Sequence, residues 1–327
     1  MSNPWQILLP PEIDPTGPSS IADFADCTGM DEYESVDDAL DDIGRYDAVI
    51  VRVAELDAEV IDRASNLKVI AKHGAGLDNV DIEAASKRGI VVCNTPGVNS
   101  RSVAEHAIAL LFGLQRNLHT ADSHVREGGW DRSEYVGHEL RGDTFGLMGF
   151  GAIAHETATI ARGVGQDVIM YDPYVPAADV PEGIEKVDDL TELFGRSDSV
   201  SIHVPLVDGT RHAVSTEQFE ALGETGVLIN TARGGIVDET ALIEALDEGV
   251  IGGAGLDNFE REPPATDNPL FDHDRVLLTP HVGGVTYNAL ERMSRGATTN
   301  VRTVYNGGLP ESTVNREALE QTVAQND

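Results

Sequence analysis

The stretch Thr144 to Asp172, TFGLMGFGAIAHETATIARGVGQDVIMYD, decides the fold. It opens with a short apolar run, Phe145 to Phe150, passes into an Ala-rich helical pattern, and returns to an apolar run, Val168 to Tyr171, that ends at Asp172. That is the order strand, tight turn, helix, strand, acid. Gly149, Gly151 and Ala154 make a GxGxxA pattern. The first glycine allows a sharp turn, the second lets a pyrophosphate approach the main chain, and the small third residue lets helix and strand pack closely. The free N–H groups at the helix start then face the phosphates with a favourable dipole. Asp172 follows Gly151 by 21 residues, where an acid at the end of the second strand accepts hydrogen bonds from ribose hydroxyls. A carboxylate there repels a 2′-phosphate, so the pattern predicts NAD, with NADP as the alternative. Taken alone, the same residues would also suit an ordinary glycine turn or an S-adenosylmethionine site.

The rest of the composition narrows the class. A chain of 327 residues has room for two domains with proper cores. No apolar run reaches the roughly 18 residues that a membrane span needs. The start, MSNPWQILLPPEIDP, lacks the basic and then apolar segments of a secretory signal. Cys27 and Cys93 make no disulfide framework and have no metal-ligand spacing, which predicts a cytoplasmic protein without a metal. The acids number 56 and the bases 23, a net charge of −33, and such a surface repels nucleic acid and anionic membranes. With 41% hydrophobic residues in regularly placed runs the chain is folded, not acidic disorder. The acid excess is that of a protein from a salt-rich cytoplasm, where screening over about 3 Å at 1 M relieves self-repulsion. The expectation is a halophilic protein that needs molar salt.

Along the first hundred residues, apolar runs at Ile7 to Leu9, Ala48 to Val53, Lys68 to Ala71 and Ile90 to Cys93 read as buried parallel strands, with helical segments between them. His73 to Asp81, HGAGLDNVD, places a small-residue loop after the third run, where its amides could take a carboxylate. Ser102 to Leu118 reads as a long connecting helix on which Glu105 and His106 are adjacent and therefore diverge, a structural pair. After Asp172 the alternation continues. Successive strand ends carry Arg233 (NTARGGIVD), Asp257 with Glu262 (AGLDNFEREP) and His281 (TPHVGG). In a parallel sheet those ends share one edge and can converge. A guanidinium forms a fork that matches a carboxylate, a histidine exchanges a proton near neutrality, and a glutamate beside it orients the ring and favours the imidazolium. That set suits hydride transfer to or from a 2-hydroxy acid.

These segments resemble the D-2-hydroxyacid dehydrogenase family, which includes phosphoglycerate dehydrogenases and glyoxylate and hydroxypyruvate reductases. The resemblance rests on KHGAGLDNVD (72 to 81), NTPGVNSRSVAEHAIALL (94 to 111), GFGAIA (149 to 154), NTARGGIVDE (230 to 239), AGLDNFEREP (254 to 263) and TPHVGG (279 to 284), in family order. It implies two doubly wound parallel-sheet α/β domains, Rossmann-like and flavodoxin-like, with a cleft between them. Residues 1–100 plus 287–327 would form a discontinuous substrate domain and 101–286 the NAD-binding domain. It implies Arg233, Glu262 and His281 as catalytic residues, with His281 the acid/base, and Ala75, Gly76 and Arg233 as substrate-binding. The cofactor site would comprise Gly149, Gly151, Ala152, Ile153, Asp172, Val204, Thr231, Ala232, Asp257, Gly283 and Gly284. Family members are commonly homodimers.

Three departures qualify the match. Ala154 replaces the usual third glycine, and Ala152 stands where many relatives carry arginine, removing a cationic contact to the pyrophosphate. Relatives with phosphorylated substrates would be expected to offer cations near the substrate, and in the first loop His73 is the obvious candidate. Besides these departures, a length of 327 residues is not expected to hold the extra C-terminal regulatory domain of longer phosphoglycerate dehydrogenases. The resemblance therefore predicts a 2-oxo acid reductase with glyoxylate or hydroxypyruvate ahead of the alternatives. Those are D-3-phosphoglycerate dehydrogenation in serine synthesis and an NAD-sensing, corepressor-like binding protein.

Overall fold

The computed structural model describes residues 3–326, which fall into two compact units, 3–99 with 285–326, and Ser100–Gly284. The first unit is built on five parallel strands, β1 (Trp5–Leu9), β2 (Ala25–Gly29), β3 (Ala48–Val51), β4 (Val69–Lys72) and β5 (Val91–Cys93), in the order β2-β1-β3-β4-β5. Alternate residues of each central strand enter different cores. Leu8, Val49, Val51, Ile70 and Val92 lie in one cluster, while Ile7, Ala48, Ile50, Val69 and Val91 lie in the other. Both faces being covered, these strands read as continuous apolar runs. The helix Tyr287–Tyr305 returns to this unit and buries Ala289, Met293, Ser294, Ala297, Thr298 and Val301, a stripe at helical spacing.

The second unit has seven parallel strands, β6 (Thr144–Met148), β7 (Asp167–Tyr171), β8 (Ile184–Val187), β9 (Ser199–Ile202), β10 (Val227–Asn230), β11 (Gly253–Leu256) and β12 (Val276–Leu278). Their order, β12-β11-β10-β9-β6-β7-β8, is the dinucleotide-binding order 3-2-1-4-5-6 counted from β6, with a seventh strand at the far edge. The expected fold class, doubly wound parallel α/β sheets, is the one the chain adopts. β2 and β8 were not anticipated; both are edge strands, with burial patterns Beiii and ieiB, and carry no continuous apolar run.

The acid-rich composition also serves local structure. Asp57, Asp81, Asp189 and Asp238 each cap a helix by accepting from the amide three residues on, at 2.8 to 3.1 Å. Each such cap is worth about 1 kcal/mol against alanine.

Candidate active site

At the end of β6 the chain turns at Gly149, whose φ of +88° is left-handed. A Cβ there would stand 2.6 Å from Val204 Cγ1 and 3.0 Å from the His203 backbone, so only glycine lets the ends of β6 and β9 close up. These neighbouring strands flank the reversal of strand order, the place where open α/β sheets take ligands. Gly151 precedes the helix Ala152–Gly163 as an N-cap with no side-chain cap, and the first turn holds no acid. Nothing lies within 4 Å of where a Gly151 Cβ would be. The leading amides, Ala152 and Ile153 among them, are therefore available to an anion. Asp172 accepts from Phe150 N (2.9 Å) on one oxygen and from Tyr174 N (2.8 Å) on the other. Each oxygen keeps a further lone pair for a ribose hydroxyl. The hydroxyl of the buried Thr231 has no partner among the described residues. An uncapped helix start, an open glycine, a held carboxylate and an orphaned hydroxyl fit NAD.

Beyond β10 the buried Asn230 folds its amide back onto the following turn, Nδ2 donating to Arg233 O (2.9 Å) and Oδ1 accepting from Ala232 N (3.0 Å). Gly234 lies so close to the chain after β11 that a Cβ would fall 1.9 Å from the Phe259 carbonyl carbon. Arg233 is thereby fixed at half-burial, with Nη1 donating to Ala232 O (2.6 Å). The next turn is held in the same way. Glu260 N donates to a Glu239 carboxylate oxygen and Glu239 N to a Glu260 one, both at 3.2 Å, while His212 Nε2 sits 2.6 Å from Glu260.

Glu262 accepts from Phe259 N at 3.2 Å through Oε1 and faces His281 Nδ1 at 2.8 Å through Oε2. Burial pushes its carboxyl upward, but the bond and charge of His281, the Phe259 amide and the charge of Arg233 outweigh this and hold it below its ordinary value. An ionised Glu262 can only accept, so Nδ1 carries the proton and Nε2 is the ring atom turned to other partners. His281 is left-handed at φ +54°, a conformation that costs a non-glycine residue on the order of 1 kcal/mol.

Asp257, 1% exposed, is occupied by its own chain: Oδ1 accepts from Thr279 Oγ1 (2.6 Å) and Val282 N (2.8 Å), and Oδ2 from Gly283 N (2.7 Å). His106 Nε2 lies 2.9 Å from Thr279 Oγ1 and 3.3 Å from Asp257 Oδ1. Burial pushes the Asp257 carboxyl up, and the bonds from His106, Thr279, Val282 and Gly283 more than reverse it, leaving it below the ordinary range. Glu105 points elsewhere, to Arg101 at 2.7 Å, so the neighbours on that helix do diverge. The tie from His106 to the His281 turn was not anticipated. Sequence reads the two as diverging but does not say where His106 goes, because no local pattern signals a contact across more than 150 residues.

In the first unit, the loop after β4 hangs from the chain after β5: Gly74 N donates to Thr95 Oγ1 (3.0 Å), and Asn94 Nδ2 to Ala75 O (2.7 Å). Ala75 is exposed and Gly76 half-buried, and their N–H groups have no partner among the described residues. His73 is 3% exposed and neither ring nitrogen has a partner among the described residues. Burial, with Arg52 beside it, pushes it down to about 4, so it is neutral and does not supply the cation considered for a phosphorylated substrate. Arg52, at the end of the neighbouring β3, is the half-buried cation of that edge. Among the described residues no cluster of His, Cys, Asp and Glu could hold a metal, and no helix is long and apolar enough to cross a membrane.

Residues 108–283 match the family model described as "D-isomer specific 2-hydroxyacid dehydrogenase, NAD binding domain". The chain is 41% identical over 297 residues to a D-3-phosphoglycerate dehydrogenase of Methanocaldococcus jannaschii, covering 90% of this chain and 56% of that one. It thus spans about half the length of that relative. It is also 41% identical over 265 residues to a hydroxypyruvate reductase of Thermotoga maritima, covering 80% of this chain and 86% of that one. Among solved structures, an NADPH-dependent glyoxylate/hydroxypyruvate reductase from Sinorhizobium meliloti, in complex with NADP and malonate, superposes with a TM-score of 0.83. That pair is 33% identical, over 96% of this chain and 97% of that one.

Proposed function

The chain belongs to the D-isomer specific 2-hydroxyacid dehydrogenase family, and from that we propose that it is an NAD(H)-dependent dehydrogenase acting mainly as a reductase of small 2-oxo acids. The observation that carries the reading is the 2.8 Å pair of His281 Nδ1 and Glu262, with the charge of Arg233 acting on the same glutamate. When bound, the nicotinamide supplies the hydride for C2. Arg233 holds the substrate carboxylate and polarises the carbonyl. His281, oriented through Nδ1 by Glu262, gives a proton from Nε2 to the carbonyl oxygen as it becomes a hydroxyl, and takes it back in oxidation. The free amides of Ala75 and Gly76 serve the carboxylate. Gly149, Gly151, Ala152, Ile153, Asp172, Val204, Thr231, Ala232, Gly283 and Gly284 serve the dinucleotide, and Asp172 favours NAD over NADP. Asp257 serves it indirectly, through the turn it holds.

Glyoxylate and hydroxypyruvate rank first because His73 is neutral; 3-phosphohydroxypyruvate is the alternative that Arg52 would serve. Cytoplasmic residence agrees with Cys27 and Cys93 both being free thiols, which burial pushes up to about 11 and about 12. A homodimer agrees with Leu118, Val125, Trp130 and Val136 of the second unit, apolar side chains from 52% to 79% exposed on one short segment.

The test is oxidation of NADH and of NADPH in molar KCl, with a low-salt arm, against glyoxylate, hydroxypyruvate, pyruvate, a branched 2-oxo acid and 3-phosphohydroxypyruvate, with the mass measured by sedimentation. Turnover that is fastest with glyoxylate or hydroxypyruvate and NADH is expected, on a dimer, and retained only in high salt. Preference for the phosphorylated acid would move the assignment to phosphoglycerate dehydrogenation. Cofactor binding without any turnover would move it to the sensor.

A further inference from the structure

The helix Ser100–Gln115 packs on β11, whose sequence GAGL puts the two glycines, Gly253 and Gly255, against the helix. A Cβ on Gly255 would stand 3.0 Å from Leu110 Cβ, and one on Gly253 would stand 3.7 Å from Leu114 Cδ2. Leu114, Leu110 and His106 therefore ride in turn over Gly253, Gly255 and Asp257. The steps match: four helical residues advance about 6 Å, and two strand residues about 6.6 Å. Helix and strand run in opposite senses, and the register that buries the two leucines delivers His106 to the carboxylate just past the strand end.

That carboxylate is the hub of the His281 turn. Thr279 Oγ1, Val282 N and Gly283 N all donate to it, from both sides of His281. Gly283 is wedged against hub and histidine together, since a Cβ there would lie 2.9 Å from Asp257 Oδ2 and 3.4 Å from His106 Cδ2. Because Thr279 Oγ1 donates to Asp257, it accepts from His106, which places a proton on Nε2. The other three donors belong to the turn being held. His106 alone among these four reaches the carboxylate from a separate element, and that element is a buried helix.

We infer that His106 is a positioning residue: through Asp257 and Thr279 it fixes the turn that keeps His281 in its left-handed conformation. Without it, the carboxylate and its three donors move as one piece, and His281 drifts from the position in which Glu262 orients it. The chemical part of this inference rests on the proposed reductase activity. The structural part does not.

The experiment compares His106→Leu, His106→Gln and the wild type as the full chain in molar KCl. Glutamine offers an N–H donor at similar reach; leucine fills the space and offers none. Amide exchange at Val282 and Gly283, measured without cofactor, is expected to accelerate about tenfold or more in His106→Leu, while the helix core from Ala107 to Leu114 keeps its protection. In that variant kcat should fall by about tenfold or more, with KM for the 2-oxo acid within about threefold, as a displaced acid predicts. His106→Gln should recover most of both losses. Unchanged exchange at both amides in His106→Leu, or equal losses in the leucine and glutamine variants, would overturn the inference. A wild type inert toward every 2-oxo acid would instead remove the reductase reading, and the exchange data would still decide the role of His106.

Discussion

The turn after β6 and the turn after β12 both end strands of one sheet, and they are built in opposite ways. The first is made by omission. Gly149 takes φ +88° at little cost, Gly151 leaves open space, and the turn's entry is held by the backbone bond from Gly149 N to Tyr171 O at 2.7 Å. The second is made by convergence. His281 takes φ +54° against its own preference, held by the turn's own Thr279 hydroxyl and by two carboxylates, Asp257 and Glu262, from elsewhere in the chain. A ligand's phosphates need backbone amides and room, which glycine supplies. The acid/base role proposed for His281 needs a side chain in one orientation, which only other side chains can impose.

The comparison breaks most visibly if the second turn can lose its residues cheaply. His281→Ala should lower kcat by about a thousandfold while leaving the NADH dissociation constant within about threefold, since the acid is lost and the glycine turn is untouched. Glu262→Gln keeps a side chain of the same shape but cannot favour the imidazolium, and should lie between, about a hundredfold down. Steady-state kinetics with fluorescence titration of NADH would check both. Activity of His281→Ala close to wild type would remove the residue from the mechanism, and a large loss of NADH affinity would mean the two turns are not independent.

A smaller effect is expected at the first turn. Asp172→Ala removes the charge that opposes a 2′-phosphate, and also the acceptor of Phe150 N and Tyr174 N. The ratio of kcat/KM for NADPH over NADH should rise about tenfold, equivalent to about 1.4 kcal/mol. An unchanged ratio would show that Asp172 is only a brace for its own backbone.

The same contrast explains what could be read in advance. A turn built by omission leaves its mark locally, so GxGxxA, the helix after it and Asp172 announced a parallel sheet and a dinucleotide site within 29 residues. Central strands such as Ala48–Val51 and Val69–Lys72 were legible because both their faces are buried. β2 (ADCTG) and β8 (IEKV) were not, because an edge strand in a parallel sheet needs only one neighbour and half a core. Arg233, Glu262 and His281 could be nominated because strand ends share an edge. The means by which His281 is held could not be, since His106, Asp257 and Thr279 meet only once a helix has settled in register on two glycines. The charge state of His73 was not legible for a related reason. Its type suggested a cation, whereas its burial, visible only in three dimensions, makes it neutral.

Acid should separate the two turns, though the effect is the smallest of these. The amides of Val282 and Gly283 donate to a carboxylate, whereas that of Gly149 donates to a carbonyl, which does not titrate. Asp257 is held below its ordinary value, so its contribution to folding is complete above the unfolded value of about 3.9 and is lost only as pH falls through the lower, folded one. Glu262, also lowered, behaves in the same sense, with less effect because it is partly exposed and screened. Protection of Val282 and Gly283, corrected for the intrinsic exchange rate, should therefore stay flat from pH 7 to about 4 and then fall while Gly149 remains protected. A decline already between pH 7 and about 5 would mean that the four donors do not hold Asp257 ionised. Simultaneous loss at Gly149 would mean that acid unfolds the sheet before it frees the turn, and that side-chain convergence is no weaker a fastening than the glycine backbone beside it.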